Sequence, residues 1–256
     1  MQTIVVIPAR LASTRLPRKL LLPLGEKSIL QRVYEQCLCA DGIDAVYIAT
    51  DSPEIATACQ HFTTQVIMTD QRHTSGTDRI AQAIESLDCH IVVNVQGDEP
   101  FISPALITEV AQTLECSGAP MSSAMQRIAS QQDLHDPNVV KVVVNHHREA
   151  LYFSRAPIPL RRDDNQEIPS ALLPATPPYY KHIGIYGYTK SFLQTYTQMP
   201  PSILEQAEKL EQLRVLENGY TIQMIETTED ALGIDTPEDY EKALALLHKE
   251  HPNDND

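Results

Sequence analysis

The chain has 256 residues, 42% of them apolar, enough for one large domain with a hydrophobic core of its own. Its 34 Asp plus Glu against 20 Lys plus Arg leave a net charge of -14, which argues against a nucleic-acid coat or a membrane-surface protein. No segment approaches the roughly 20 apolar residues of a membrane span, and the N-terminus lacks a basic start followed by a long apolar core, so a cytoplasmic protein with neither nucleic-acid nor membrane partners is expected.

The first expected element is a strand over Thr3–Ile7, a run of β-branched and apolar residues suited to burial on both faces. Pro8 has no N–H to donate and is expected to end its ladder. Arg10, Arg15, Arg18 and Lys19 follow with no carboxylate before Glu26, and Ser13 and Thr14 add hydroxyls among them. A loop of this kind, stiffened by Pro17, suits a polyphosphate, because arginine offers forked donors and lysine a point charge. The competing reading is an ordinary solvated loop. Gly25-Glu-Lys-Ser28 resembles the end of a phosphate-binding loop but lacks its first glycine, and reads as a turn.

Ser28 then caps a helix through Ile29, Val33 and Cys37. Ala45–Thr50 is a second strand, and Pro53 opens a helix to about His61. Gln65–Met68 is a third strand. Thr74-Ser-Gly-Thr-Asp-Arg79 leads into a helix carrying Ile80, Ala83, Ile84 and Leu87. Ile91–Val95 is a fourth strand, followed by the loop Gln96–Phe101 and a helix capped by Ser103 with Pro104 in its first turn. This alternation predicts right-handed crossovers and a parallel sheet.

The rhythm changes after Cys116. Met121–Ile128, Val139–Val144 and Ala150–Arg155 read as antiparallel strands or a mixed extension, with a hairpin turn at Asn145-His-His. Ala156–Tyr180 holds six of the eighteen prolines and reads as a long loop or lid. His182–Tyr188 is a strand. Helices are expected through Phe192 and over Leu204–Asn218, stopped by Gly219. Ile222–Ile225 is a last strand, and Thr236-Pro-Glu-Asp239 starts a helix to about Lys249 before a disordered tail. The five cysteines fit no zinc spacing and read as buried free thiols.

Three stretches carry chemistry. The first is the cationic loop. The second is Gln96-Gly-Asp-Glu-Pro100 at the end of the most hydrophobic strand, where open α/β sheets bind ligands. There Gly97 allows a close backbone approach, and Asp98 and Glu99 face opposite ways if strand geometry persists, so that one can hold a metal. A tight turn with solvated acids fits as well. The third is Asp235, just before the capped helix, whose plainer role is an auxiliary cap.

With IPARLASTRLPRK, TDSPEIA, HTSGTDRIA, VVNVQGDEPFI, ALYFSRAPIP, KHIGIYGYTK, LEQLRVLENG and GIDTPEDYEKA in this order, nearly the whole chain resembles the 3-deoxy-manno-octulosonate cytidylyltransferases, or CMP-Kdo synthetases. One position departs: Arg18 stands where that family usually has glycine. The resemblance implies a Rossmann-like, glycosyltransferase-A-like α/β fold, with a mixed, mainly parallel sheet flanked by helices and a smaller antiparallel extension. It implies a single nucleotidyltransferase domain over residues 1–256, with about 119–190 contributing a lobe for sugar binding and dimerisation. The implied reaction joins CTP and Kdo into CMP-Kdo and pyrophosphate with Mg2+, supplying Kdo for lipopolysaccharide.

The same resemblance implies the residue roles. Asp98 and Asp235 hold the metal, and Arg10, Arg15 and Lys19 meet the leaving pyrophosphate. CTP meets Ala9, Arg10, Ser13, Arg15, Lys19, Ser75, Gly76, Arg79 and Gln96. The sugar acid meets Gln96, Arg155, His182, Tyr186, Glu211 and Gln212, the last two on a helix packed through Leu210, Leu213 and Leu216. A homodimer is implied, and the non-helical stretch around Met121–Val144 would suit its two-fold interface. The alternatives are a CMP-sialate synthetase, another sugar nucleotidyltransferase, and a nucleotide-binding regulator without turnover.

Overall fold

A computed structural model describes residues 2–13, 15–73, 75–162, 178–229 and 232–250, the last three of them by backbone alone. Thr14, Thr74, most of the expected lid (163–177) and the expected tail lie outside the described residues. The chain forms two compact units, Met1–Thr108 with Asp230–Asp256, and Glu109–Glu229.

The first unit is built on parallel strands in the order β6-β1-β4-β5, from β1 (Thr3–Ala9), β4 (Ala45–Thr50), β5 (Val66–Met68) and β6 (Ile91–Asn94). β6 is buried throughout and β1 nearly so, as a parallel sheet covered on both faces requires. Serines start three of its helices. Ser28 accepts the Gln31 N–H at 3.2 Å and opens α1 (Ile29–Leu38); Ser52 accepts from Ile55 at 3.3 Å and opens α2 (Pro53–Cys59); Ser75 accepts from Asp78 at 3.0 Å and opens α3 (Gly76–Ala83). Each such cap contributes about 1 kcal/mol. Gly25, at φ +68°, turns the short hairpin of β2 (Pro23–Leu24) and β3 (Lys27–Ser28), so the expected turn is present.

Pro8 does not end β1. The strand continues to Ala9, with Pro8 opposite Ala49 and Ala9 opposite Thr50 on β4. Successive residues of a central parallel strand bond alternate neighbours. Thr3 C=O accepts from Asp44 on the β4 side, and Val6 C=O accepts from Val95 on the β6 side. Pro8 therefore faces β6, whose ladder with β1 has stopped at Val6 and Asn94. Its missing N–H costs no ladder bond.

The C-terminal helix of this unit, α9 (Pro237–Glu250), packs onto the hairpin. Leu24, Ile29, Ile234, Ala243 and Leu247 form a buried cluster, joined by Leu16, Leu22 and Tyr240. This apolar clamp ties the cationic loop to the segment that carries Asp235.

The chain enters the second unit within α4 (Pro104–Ser117). There β7 (Met121–Arg127) lies between β10 (Tyr180–Thr189), antiparallel, and β11 (Ile222–Glu226), parallel. β8 (Lys141–Val144) pairs antiparallel with β10 and with β9 (Ala150–Ser154). Both edges of β7 are thus paired within the chain, so β7 leaves no open strand edge to pair with a second copy. The turn at Asn145 is present, its side-chain oxygen accepting the His147 and Glu149 N–H groups at 2.9 Å. Sequence reading missed α5 (Gln131–His135), capped by Ser130. α6 (Lys190–Tyr196) follows β10 directly.

The single helix expected over Leu204–Asn218 is two: α7 (Ile203–Glu208) and α8 (Leu213–Glu217), broken at Lys209 with φ 56°. The cause is a bidentate ion pair in which Arg214 donates to Glu205 at 2.8 and 2.5 Å. In one straight helix, residues nine apart would sit on opposite faces and about 13 Å apart along the axis. The break brings them together, and it places Glu211 and Gln212 in the connecting turn rather than on a helix.

Gly187 on β10 is packed so closely that an added Cβ would lie 2.5 Å from Ser122 Oγ, 2.8 Å from Leu114 and 3.0 Å from Val110. Gly187→Ala is expected to lower stability by about 1–3 kcal/mol, the range of core overpacking. Urea unfolding of the variant measures it, and an unchanged midpoint would show that α4 yields freely.

Among the described residues, no helix is long and apolar enough to cross a membrane. Cys37, Cys59 and Cys89 are buried, but Cys39 and Cys116 are exposed, so the expectation of buried thiols holds for three of five. All are unpaired.

Candidate active site

Two loops meet at the end of β1. An added Cβ on Gly97 would lie 3.2 Å from the Pro8 carbonyl oxygen, and one on Gly76 would lie 3.3 Å from the Pro8 ring. The glycines thus let the loop after β6 and the start of α3 close over Pro8. The close approach expected of Gly97 toward a ligand is made here toward the protein's own backbone.

Past Pro8 the charged residues gather. Lys19 opens a 3-10 turn (Lys19–Leu21), and its ammonium donates to Asp98 and, at 2.7 Å, to Asp235. Arg15 pairs with the other Asp235 oxygen at 3.0 Å. One ammonium therefore bridges two carboxylates brought from the end of β6 and from the start of α9. Burial pulls the Lys19 ammonium down, but Asp98 and Asp235 outweigh it and hold it above the ordinary lysine value. It is a fixed cation at neutral pH.

Backbone bonds set Asp235. Ile234 N–H donates to the Asp98 carbonyl at 2.9 Å, tying the two loops together. Asp239 accepts from Asp235 N–H at 3.3 Å and from the Thr236 N–H and hydroxyl at 3.1 and 2.8 Å, while Thr236 caps Asp239 N–H. The cap is thus Thr236, and the Asp235 side chain is left for Lys19 and Arg15.

Strand geometry does not persist as far as Glu99. β6 has ended at Asn94, and Glu99 N–H turns back to the Gln96 carbonyl at 3.3 Å. Its Oε2 is buried with no hydrogen-bond partner among the described residues. Burial first, then the charges of Asp98 and Asp235, push this carboxyl up to about 8.

This donor set suits a hard divalent cation: two carboxylates converge on the point that the Lys19 ammonium occupies. No group of three or more His, Cys, Asp or Glu residues that could hold a metal occurs among the described residues. An ion held here would complete its shell with water and phosphate oxygens, as magnesium does. Asp98 and Asp235 are the residues that would hold it.

The remaining nucleotide candidates divide. Ala9 is buried at the end of β1, and Arg10 and Ser13 follow in the loop, Arg10 exposed and without an ion pair among the described residues. Gln96 donates to Asn94 at 3.3 Å. Ser75 is engaged as the cap of α3, with its hydroxyl also donating to Asp78 at 2.9 Å. Arg79 turns inward: it is 4% exposed and its guanidinium is held by Thr69 at 2.5 Å and Asp51 at 3.3 Å. The structure does not bring it to the Lys19 cluster.

Arg18 also leaves the cluster, pairing with Glu54 on α2. Its φ of 57° is left-handed, which explains why glycine suits the position. In a Glu54→Ala background, which removes the ion pair, Arg18→Gly is expected to raise stability by about 1 kcal/mol with turnover unchanged. Denaturant unfolding of single and double variants checks this; a loss of stability would mean the Arg18 backbone is unstrained.

The sugar-acid candidates lie in the second unit. Arg155 is fixed by carbonyls: Nε donates to Glu208 O at 2.8 Å and Nη1 to Pro137 O at 2.9 Å, while the Glu208 carboxylate accepts from Ser154 Oγ and Arg155 N–H. Lys141, fully buried, pins the same loop through the Asp136 and Val139 carbonyls. His182 lies on β10, with its ring against Phe153 and Tyr186 at centroid distances of 5.0 and 5.4 Å. Burial pulls its imidazole down to about 3. Glu211 is exposed and its carbonyl accepts from Tyr196 Oη at 3.0 Å, while Gln212 is 4% exposed. Arg214 stacks over the same Tyr196 ring at 4.8 Å. Sequence reading missed Glu208 and Tyr196, because each acts across a separation that no local pattern marks.

The profile of the cytidylyltransferase family matches residues 4–227. A 3-deoxy-manno-octulosonate cytidylyltransferase of Solibacter usitatus is 44% identical over 243 residues, 94% of this chain and 93% of that protein. One of Geotalea uraniireducens is 45% identical over 251 residues, 97% of this chain and 100% of that protein. A solved structure of a CMP:2-keto-3-deoxy-manno-octonic acid synthetase complexed with CTP superposes with a TM-score of 0.89 at 40% identity, covering 98% of this chain and 100% of its own. With its parallel strands, its cationic loop and its paired aspartates, the chain belongs to the 3-deoxy-manno-octulosonate cytidylyltransferase family.

Proposed function

We propose that the protein transfers CMP from CTP to Kdo, forming CMP-Kdo and pyrophosphate. The observation that carries this is the meeting of Lys19, Arg15, Asp98 and Asp235 past the end of β1, in a chain 40% identical to a synthetase bound to CTP. In the reaction a sugar hydroxyl forms a bond to the α-phosphorus, the bond to the β-phosphate breaks, and the hydroxyl proton is lost. Bound magnesium supplies Lewis-acid polarisation of the phosphoryl group and charge neutralisation.

The chain's own residues supply the rest. Asp98 and Asp235 hold the metal, while Lys19 and Arg15, with the exposed Arg10, stabilise negative charge as it develops on pyrophosphate. The Lys19 ammonium, held above the ordinary lysine value, binds charge rather than moving protons. Ala9, Ser13, Ser75, Gly76 and Gln96 line the nucleotide's side in this reading, with Arg79 supporting that loop from within. Arg155, His182, Tyr186, Glu211 and Gln212 recognise the sugar acid. An imidazole pulled down to about 3 is too weak a base to take the hydroxyl proton, so His182 acts as a hydrogen-bond partner.

Five cysteines with no disulfide among them suit a reducing cytoplasm. Leu151 and Ile203, 59% and 81% exposed, give the second unit apolar surface for the homodimer that completes this proposal.

The test is CTP-dependent pyrophosphate release by the purified protein, with Kdo and sialic acid compared. Turnover with Kdo far above that with sialic acid is expected. Equal or reversed rates would overturn the assignment, and no release with either would favour a regulator that only binds nucleotide.

A further inference from the structure

We propose that Ser123 is a positioning residue that holds His182 as its Nε2–H tautomer, leaving Nδ1 as an acceptor for a hydroxyl of the sugar acid. The second half of this rests on the reading that His182 meets the sugar acid; the first half does not.

One hydroxyl proton decides the tautomer. Ser123 lies on β7 and is fully buried. Its Oγ lies 2.8 Å from the Ile185 carbonyl oxygen, 3.4 Å from that of Ile183, and 2.9 Å from His182 Nε2. A carbonyl oxygen only accepts, so the shorter contact requires the Ser123 proton to point at Ile185. Toward His182 the hydroxyl then has only lone pairs to offer. A hydrogen bond at 2.9 Å requires Nε2 to carry the proton, and in a neutral ring Nδ1 is then bare.

The backbone explains why the serine is there. Along β10 the register with β7 slips between Ile183 and Tyr186. Ser123 pairs with Tyr186 at the edge of that bulge and turns its hydroxyl into it. Phe153 and Tyr186 flank the imidazole, which restricts ring rotation. His182 N–H is bonded to the Val140 carbonyl at 2.8 Å, so the backbone is held as well. Burial, which pulls the imidazole down to about 3, removes the doubly protonated form from competition. A histidine so fixed accepts at one known atom. It discriminates in favour of a substrate that places a hydroxyl donor there, and against one that offers an acceptor.

The test is nitrogen-15 NMR of histidine-labelled protein, with His182 assigned by difference from His182→Gln. In the wild type, Nε2 is expected as a protonated, pyrrole-type nitrogen and Nδ1 as an unprotonated, pyridine-type one. The reverse assignment would overturn the proposal, whatever the substrate. Adding Kdo is expected to shift Nδ1 selectively. If the tautomer is as stated and Kdo leaves Nδ1 unmoved during normal turnover, the contact with the sugar acid is wrong while the tautomer lock stands. Ser123→Ala is expected to mix the tautomers and to raise KM for Kdo about tenfold, with KM for CTP unchanged, as loss of one hydrogen bond allows. A pure tautomer and an unchanged KM for Kdo in that variant would leave Ser123 no positioning role.

Discussion

Replacing Asp98 or Asp235 by asparagine is expected to remove nearly all turnover while the protein stays folded. Both carboxylates end at the Lys19 ammonium, one from the loop after β6 and one from the segment before α9. The Ile234–Asp98 backbone bond holds these segments together independently of the side chains, as does the buried cluster around Leu24 and Ile234. Their side chains are 25% and 50% exposed, so breaking their ion pairs costs about 1 kcal/mol or less after solvent screening. Activity has a different sensitivity. Asparagine keeps the size and one acceptor oxygen but loses the negative charge, so a divalent ion would be left poorly neutralised. A loss of at least about 10²- to 10³-fold in kcat follows if the ion stabilises the developing charge as strongly as a lost oxyanion donor implies. Because the two residues would serve one ion, the double variant should be little worse than either single one. Steady-state kinetics across a magnesium series, beside urea unfolding, separates these effects. Substantial activity in one single variant at ordinary magnesium would take that residue out of the metal site.

The local elements could be read from the chain because their signals are local. Serine caps, proline at first helical turns and alternating apolar runs act within a few residues, and α1, α2 and β6 appear where those signals put them, while α3 starts as expected but ends at Ala83, short of Leu87. The failures come from distant partners. Pro8 looked like a stop, yet it sits inside β1 because the neighbour it faces has already left the ladder. Residues 204–218 looked like one helix, yet Glu205 and Arg214 can meet only if the helix breaks. In the candidate site, Asp98 could be placed by the rule that ligands gather at the carboxyl ends of parallel strands. Asp235 could not be brought beside it by any spacing, since its arrival depends on α9 packing against the β2–β3 hairpin. Arg79, named with the nucleotide candidates, is held by Thr69 and Asp51, and nothing in its own stretch foretold those partners. Ser123 was invisible for the same reason: the bulge that it serves lies on β10, about sixty residues away.

Lys19→Ala is expected to produce a protein that turns over far more slowly and yet binds magnesium more readily in the absence of nucleotide. The ammonium is 13% exposed and occupies the point where two carboxylates converge. There it would compete with a divalent ion for the same oxygens. Removing it leaves two like charges in close proximity with only Arg15, itself exposed, as a counterion on one of them. A metal ion then relieves that repulsion without first displacing a bonded cation. Magnesium should accordingly raise the Tm of Lys19→Ala more than that of the wild type, since a ligand stabilises the folded state in proportion to how well it binds there. During turnover the balance reverses. Were the carboxylates committed to a metal, the wild-type ammonium would be free to meet charge developing on pyrophosphate, an interaction that would be made more strongly in the transition state than in the bound substrate. Losing it should lower kcat and kcat/KM together, by about 10²-fold or more. Wild-type turnover in the variant would reduce Lys19 to a solvated charge. An unchanged magnesium effect on Tm, with turnover still lost, would show that the ammonium acts on phosphate without ever competing for the aspartates.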